Sequence, residues 1–338
     1  MTQTMPGSGQ NCSQRCFQLH MHNMKFESLY QRRLMVVFAV FFLCFATPFY
    51  YMYDIQSPRQ RDIVATMSWF DGNHPPIAEH DVSFVFKQPD ACKSKDVFLL
   101  NMVLTRTQET SLRSVIRRTW GSVREFNNRK IQTLFVVGRP ADGNDDSLAK
   151  LSDEAALFKD LIVSDFLDTY ENLTLKTIST LQWSDKYCPN ATYVLKVDSD
   201  MMVNIKKFIP YLEKSPRSNF VAGQLMDSSP WRFHLSKWYI TYSEYPYKKY
   251  PLYLAGSYVM SSDVVHKLSV TSHNTKAFKF EDVYVGIMLK KNGITPFHSD
   301  KFYISTFGLS AKYLKERFVA HAFKEESIPG VWTEIWTS

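Results

Sequence analysis

Residues 193–204 read YVLKVDSDMMVN. The mostly apolar first five predict a short buried strand, which ends on two aspartates one residue apart, Asp198 and Asp200. At the carboxyl edge of an α/β sheet, carboxylates at this spacing suit a divalent cation that keeps positions open for phosphate oxygens. The alternative is a turn in which Asp and Ser bond to their own backbone, and an isolated D-x-D motif is more often of that kind.

Composition indicates a folded protein with a sizeable core, since 45% of the 338 residues are apolar and 15% are aromatic. The net charge is +7 and the pI is about 9.0. Lysine and arginine are dispersed without a basic run, so we expect no nucleic-acid partner. A basic groove for a small anionic ligand fits the same charge.

An uncharged stretch, LMVVFAVFFLCFATPFYYMY, occupies residues 34–53. At about 1.5 Å per residue it is long enough to cross a hydrocarbon core of roughly 30 Å. Basic residues exceed acidic ones before it and balance them after it, which places the amino terminus in the cytosol. We therefore predict a single-pass type II arrangement: tail 1–33, transmembrane signal-anchor 34–53, proline-interrupted lumenal stem 54–92 and a large lumenal domain 93–338.

Strands and helices alternate through the first half of that domain. The apolar runs predict strands at residues 96–105, 131–137, 161–163 and 193–197, and helical spacing predicts helices at 109–120, 145–158 and 172–186. This alternation predicts a doubly wound, mostly parallel α/β sheet. Further on, we expect a strand at 257–260 and helices at 205–213, 261–268 and 281–291.

Two cysteines lie in the part of the chain that we place in the lumen, Cys92 at the end of the stem and Cys188 in the domain. Cys92 lies five residues before Val97 on the first predicted strand, and Cys188 lies five residues before Tyr193 on the fourth, so the two offsets are equal. In a sheet of order 3-2-1-4 these two strands are neighbours. Both cysteines then reach the same amino-terminal edge, within the Cα separation of roughly 5.5–6 Å that a disulfide needs. An oxidising compartment would let this bridge form.

Six motifs in order resemble the β1,3-galactosyltransferase and β1,3-N-acetylglucosaminyltransferase family of the Golgi, over roughly residues 92–336. They are RSVIRRTWG (113–121), YENLTLKT (170–177), CPNATYVLKVDSDMMVN (188–204), SKWYI (236–240), YVMS (258–261) and EDVYVGIMLKKNGI (281–294). The resemblance implies a GT-A fold, in which a Rossmann-like nucleotide-binding half is fused to an acceptor-binding half. It also implies Mn²⁺, inversion at the anomeric carbon, UDP-galactose or a UDP-N-acetylhexosamine as donor, and an acceptor glycan on a glycoprotein or glycolipid.

The resemblance also carries roles onto particular residues. Asp200 becomes the metal ligand, and Asp198 reaches towards the nucleotide and the metal. The base for the acceptor hydroxyl falls in the acidic pair Glu281 and Asp282, of which we favour Asp282. The alternative for this pair is stabilisation of the helix dipole by acids in the first turn. His321 is the candidate third protein ligand to the metal.

Three further residues are weaker candidates. Arg113 and Arg117, one turn apart, could face the diphosphate, although arginine on a helix often only pairs or snorkels. Trp238 could stack on an acceptor sugar, although aromatic residues are more often part of the core.

Two other functions compete with this one. In haloacid dehalogenase-type phosphatases the first Asp of a D-x-D is a nucleophile, but that motif follows the first strand and this one the fourth. A catalytically inactive, membrane-tethered chaperone or sugar-binding relative typically lacks the metal motif, which is present here. The family's glycine-rich stretch before YVMS is reduced to Ala255-Gly256-Ser257, and this puts the identity of the donor sugar in doubt.

Overall fold

The computed structural model describes residues 33–42, 70, 82–93, 96–143, 145–304, 311–321 and 323–337. Residues 33–42 are helical and their side chains are exposed. The remainder of the predicted span, the tail before it and most of the stem lie outside the described residues. No helix within the described ranges combines the length and the apolar character that a membrane crossing needs. The signal-anchor at 34–53 stays a prediction.

Twelve strands are found among the described residues. They are β1 (Phe84–Phe86), β2 (Val97–Leu104), β3 (Glu125–Phe126), β4 (Arg129–Arg139), β5 (Leu161–Leu167), β6 (Tyr193–Asp198), β7 (Met202–Val203), β8 (Val221–Met226), β9 (Tyr253–Ser261), β10 (Phe297–His298), β11 (Phe302–Tyr303) and β12 (Val319–Ala320).

Eight α-helices lie between and after these strands. They are α1 (Thr110–Arg118), α2 (Asp145–Phe158), α3 (Leu173–Tyr187), α4 (Ile205–Glu213), α5 (Ser262–Ser272), α6 (Glu281–Lys291), α7 (Ala311–Lys315) and α8 (Ile328–Thr337).

The main sheet has the strand order β1-β5-β4-β2-β6-β9-β8-β10. Strands β5, β4, β2 and β6 run parallel, and in chain order they form the 3-2-1-4 arrangement that the sequence predicts. Beyond β6 the sheet becomes mixed, because β9 pairs antiparallel with both β6 and β8. The predicted α/β class and the parallel half are therefore confirmed.

The central strands β2 and β6 are buried on both faces, which explains their continuous apolar sequences. Their carboxyl ends meet at one edge, where Leu104 is paired with Asp198. A second sheet has three strands in the order β11-β12-β7. The chain enters it directly from this edge, because only three residues separate the end of β6 from the start of β7. Antiparallel pairing of β7 with β12 brings the chain near residue 320 back to the end of β6.

Residues 230–245 belong to a compact unit distinct from the one that contains the two β-sheets. Within 230–245, the Arg232 guanidinium donates hydrogen bonds of 2.7 Å to the carbonyls of Ile240 and Tyr245. Residues 230–245 therefore have a folded local structure, although they contain no regular helix.

Cys92 and Cys188 form the predicted disulfide, with a Cα separation of 5.4 Å. The bridge lies at the amino-terminal edge of the parallel strands, opposite the end that carries Asp198. One detail differs from the expectation: β2 pairs Leu99 with Tyr193, two residues later than Val97.

Replacing both cysteines by serine should lower stability by about 4 kcal/mol, because the bridge closes a loop of 96 residues in the unfolded chain. Urea unfolding of the two forms measures this difference. The function of the surviving folded molecules should be unchanged, since the bridge lies at the edge opposite Asp198. A double variant as stable as the native protein would contradict the prediction.

Candidate active site

The D-x-D motif lies at the carboxyl end of β6. Asp198 is the last residue of the strand, and a turn follows in which the Ser199 amide donates to the Leu104 carbonyl at 2.9 Å. The Asp198 side chain is 36% exposed and that of Asp200 is 50% exposed. Burial raises the pKa of Asp198 against the opposing effect of the Lys196 ammonium, 2.9 Å away.

His321 lies beside Asp200, as the sequence predicts. Pairing of β12 with β7 places the imidazole so that Nε2 is 3.0 Å from Asp200 Oδ2. This hydrogen bond raises the pKa of His321 above its usual value, despite partial burial. The Phe323 amide also donates to the Asp200 carbonyl, at 3.0 Å. The carboxyl-terminal part of the chain therefore completes the site around β6.

A cleft of about 390 Å³ opens at this edge of the sheet. Its polar lining comes from the ends of β2 and β6, the loop before α3 and the first turn of α6. The charged residues among those that line it are Arg106, Glu109, Asp168, Lys176, Lys196, Asp198, Asp200 and Glu281. A larger groove of about 1030 Å³, lined by residues 85–91 and 152–160 among others, contains none of these.

Two lysines that line the cleft, Lys176 and Lys196, are buried. Lys176 on α3 contacts Asp168 at 2.6 Å and the Thr105 carbonyl at 2.7 Å. Burial lowers the pKa of Lys176, and the Asp168 charge opposes this effect. Lys196 behaves differently, because Asp198 and Glu281 outweigh the effect of burial and raise its pKa. Together with Arg106, the cleft thus has three cations among its carboxylates.

Glu109 holds the turn of the D-x-D motif in place. Its carboxylate accepts hydrogen bonds from the Ser199 hydroxyl at 2.8 Å and from the Arg106 amide at 2.9 Å. Burial raises the pKa of Glu109, but these and further hydrogen bonds outweigh it and lower the pKa below its usual value. Glu109 is thus an acceptor at neutral pH, and it fixes the residue between the two aspartates.

The two acidic residues that begin α6 have different surroundings. The Glu281 carboxylate accepts from Lys196 at 2.7 Å, from Thr177 at 3.0 Å and from Tyr258 at 3.2 Å. The Asp282 carboxylate accepts from the amide of Val283, its neighbour, at 2.8 Å. Burial, together with the charge of Glu281, raises the pKa of Asp282 to about 7.

Among the described residues, no three His, Cys, Asp or Glu side chains are grouped closely enough to hold a metal ion. The side-chain atoms that are present could nevertheless coordinate a divalent cation. Asp200 Oδ1 is shielded from solvent and has no hydrogen-bond partner, which is uncommon for a carboxylate oxygen. With Asp198 one residue away and His321 in contact, oxygen and imidazole donors are available at one place.

Comparison with known proteins gives this site a family context. The model of the family described as "Galactosyltransferase" matches residues 111–300, which include Asp198, Asp200, Glu281 and Asp282. The chain belongs to the galactosyltransferase family. Neither Glu109 nor His321 lies in the matched range, although both contact the D-x-D segment.

Curated relatives of this galactosyltransferase-family protein align with most of its length. Human UDP-GalNAc:β-1,3-N-acetylgalactosaminyltransferase 1 is 34% identical over 292 residues, covering 84% of this chain and 88% of the relative. Mouse β-1,3-galactosyltransferase 1 is 33% identical over 307 residues, covering 87% and 94%. A solved structure of the galactosyltransferase LgtC with donor and acceptor sugar analogs covers 70% of this chain and 95% of its own, at 11% identity and a TM-score of 0.37. We draw nothing on function from that distant likeness.

Arg113 and Arg117 do not line the cleft, contrary to the sequence-based expectation. Arg113 is fully buried and contacts Glu154 at 2.6 Å, and Arg117 contacts Glu154 and Asp160 at 2.8 Å each. Both point inward because they occupy the buried face of α1. Arg113 also donates to the Arg106 carbonyl at 2.6 Å, so it supports a cleft-lining loop from behind.

Trp238 lies in the separate unit of residues 230–245, where its side chain is 53% exposed. Lys237 Nζ is 4.5 Å from the centre of its ring. An exposed indole is available to a ligand, and its role stays a prediction.

Glu154→Ala should lower stability by about 3–5 kcal/mol, because two buried guanidinium groups lose a shared counter-ion. Glu213→Ala is the matched control, since its partner Arg129 is more exposed and the loss should be about 1 kcal/mol or less. Urea unfolding measures both. If the Glu154→Ala variant had native stability but bound UDP more weakly, the result would instead support the sequence-based expectation that Arg113 and Arg117 contact the diphosphate.

Proposed function

We propose that this protein is an inverting hexosyltransferase that moves a sugar from a UDP-sugar to the 3-hydroxyl of an acceptor glycan, in a β1,3 linkage. The supporting observation is the cleft with Asp198 and Asp200 at the end of β6, in a chain that aligns with 88% and 94% of two proteins named as β1,3-transferases. Those names include galactose and N-acetylgalactosamine. The proposed donor is accordingly UDP-galactose first, or a UDP-N-acetylhexosamine.

Asp200 and His321 are the residues that we propose to hold Mn²⁺, with Asp198 reaching towards the nucleotide. The support is the unpartnered Asp200 Oδ1 and the contact between Asp200 and His321. A bound divalent ion would act as a Lewis acid on the diphosphate leaving group. Asp200 and His321 would hold the ion, and the diphosphate end of the donor would be oriented in the cleft through it.

Asp282 is the base that we propose for the acceptor hydroxyl. Glu281 already accepts three hydrogen bonds, whereas the raised pKa of Asp282, about 7, suits proton transfer near neutral pH. Asp282 lies near β9, where its charge contributes to the raised pKa of Tyr253 and of Tyr258. We propose that the acceptor hydroxyl binds beside Asp282. The hydroxyl oxygen then attacks the anomeric carbon as its proton passes to Asp282, and UDP leaves from the opposite face.

The finer assignments belong to the same proposal. We propose a GT-A form of the α/β fold, and a type II Golgi protein with its signal-anchor at 34–53, stem at 54–92 and catalytic domain at 93–338. The uncharged stretch and the disulfide, which needs an oxidising compartment, support this location. Trp238, with its exposed ring, is proposed to stack on the acceptor glycan.

The reaction class is tested by incubating the purified protein with a panel of UDP-sugars, Mn²⁺ and β-linked acceptor sugars, and measuring UDP release and the product linkage. We expect one UDP-hexose to give an acceptor-dependent product with a β1,3 bond. UDP binding without turnover of any donor would favour an inactive, sugar-binding relative.

Asp200→Ala should reduce transfer at least 100-fold and weaken Mn²⁺-dependent binding of UDP, because the developing diphosphate charge loses its stabilisation. The melting temperature should change little, since the side chain is 50% exposed. Calorimetric titration with UDP, with and without Mn²⁺, gives a readout besides activity. Equal transfer rates of the native protein in EDTA and in Mn²⁺ would contradict the metal assignment.

Asp282→Asn should keep UDP-sugar binding and remove turnover, because an amide cannot take the acceptor proton. In the native protein, kcat/KM for the acceptor should fall as the pH drops below about 7, where Asp282 becomes protonated and can no longer act as a base. Rates from pH 5 to 8 give this profile. A normal rate in Asp282→Asn, with loss in Glu281→Gln, would move the base to Glu281.

A further inference from the structure

Lys196 is a charged residue inside a central, buried strand of the sheet. Strand β6 has neighbours on both sides, β2 and β9, and the Lys196 side chain is only 2% exposed. A lysine at such a position is unfavourable unless the ammonium is fully paired, because burial removes its water. The sequence pattern of the strand calls for an apolar residue there, so the charge needs a separate reason.

The ammonium has three hydrogen-bond partners, which uses all of its donors. It contacts Asp198 Oδ1 at 2.9 Å, Glu281 Oε1 at 2.7 Å and the Gly256 carbonyl at 2.8 Å. These partners belong to the D-x-D motif, the start of α6 and strand β9, respectively. One side chain therefore joins the proposed donor side of the site to the proposed acceptor side.

The backbone at Gly256 is shaped for this contact. The register between β8 and β9 shifts between Gly223 and Gln224, opposite the residues around Gly256. Gly256 has a φ of +68°, and a Cβ there would lie 2.8 Å from the Met201 side chain. The only glycine of the segment 255–257 is thus at the position whose carbonyl faces Lys196.

The position of Glu281 affects the position of Asp282, the proposed base. Its carboxylate is tied to Lys196, and it also accepts from Thr177 on α3. Asp282 is the next residue in the same first turn, so its direction depends on where Glu281 is held. Small displacements of a reacting group lower catalytic rates steeply.

We infer that Lys196 is a positioning residue that couples donor activation to acceptor activation. By holding Asp198 and Glu281 at one distance, it keeps the bound diphosphate and the Asp282 carboxylate in register for direct displacement. This inference rests on the proposed function. It predicts that loss of Lys196 separates two rates, transfer to the acceptor and hydrolysis of the donor by water.

Lys196→Met keeps the unbranched stem of the side chain, one atom shorter, and removes its charge. We expect transfer per folded molecule to fall about 100-fold at saturating substrates, with hydrolysis falling less than tenfold and the UDP dissociation constant changing less than tenfold. The measured quantity is the ratio of transfer to hydrolysis, from UDP release with and without acceptor. A purely structural role would lower both rates by the same factor, so the ratio would stay constant.

A second variant covers the case in which Lys196→Met does not fold. Adding Glu281→Gln removes one of the two carboxylates that lose the Lys196 ammonium, so the double variant should regain part of the lost thermal stability. Its ratio of transfer to hydrolysis should be lower than that of Glu281→Gln alone, because in the single variant Lys196 can still donate to the amide oxygen, whereas in the double variant Asp198 and the start of α6 are unlinked.

The matched control is Lys291→Met, on the same helix as Glu281. Lys291 Nζ contacts Thr275 Oγ1 at 3.0 Å and the Asn274 carbonyl at 3.4 Å, and it does not line the cleft. Both rates should match those of the native protein.

An unchanged ratio in both Lys196 variants would overturn the inference, and so would failure of the double variant to fold. Failure of the proposed function looks different, because the native protein would then release no UDP from any donor.

Discussion

Pairing of buried charges is the constraint on which the rest of this structure depends. Arg113, Lys176 and Lys196 are all buried in or beside a sheet whose other interior residues are mostly apolar. An unpaired ion in such surroundings costs several kcal/mol, so each cation requires carboxylates at contact distance. Their partners include Glu154 on α2, Asp168 in the loop before α3 and Glu281 on α6. Satisfying these pairs fixes the positions of the elements around the cleft.

The parallel half of the fold could be predicted because its pattern is local. A continuous apolar run followed by helical spacing identifies a strand covered on both faces and its crossover helix. Strand order then follows from the few arrangements that such units allow, and it located the Cys92–Cys188 bridge. The candidate site could be placed for the same reason, since Asp198 ends β6, Asp200 lies in the turn directly after it and Glu281 begins α6.

The remaining site residues depend on pairs that are distant in sequence. Lys196 meets Glu281 across 85 positions and Glu109 meets Ser199 across 90, so no local pattern connects them. A lysine inside the apolar YVLKV run was nevertheless a usable signal, because a buried strand does not carry a charge without a partner. Arg113 and Arg117 show the converse, since helical spacing places them on one face of α1 but does not say that Glu154 occupies that face.

The disulfide also determines what happens when the chain is cut. The covalent loop between Cys92 and Cys188 encloses β2, β4 and β5 with three helices, and its turn at Ala141, Asp142 and Gly143 is exposed. A protease that cleaves this turn breaks the polypeptide without separating the two pieces. In denaturing gel electrophoresis, the cleaved protein would give one band without a reductant and two bands with it. Its β2–β6 pairing would survive, because the bridge keeps both strands in one molecule.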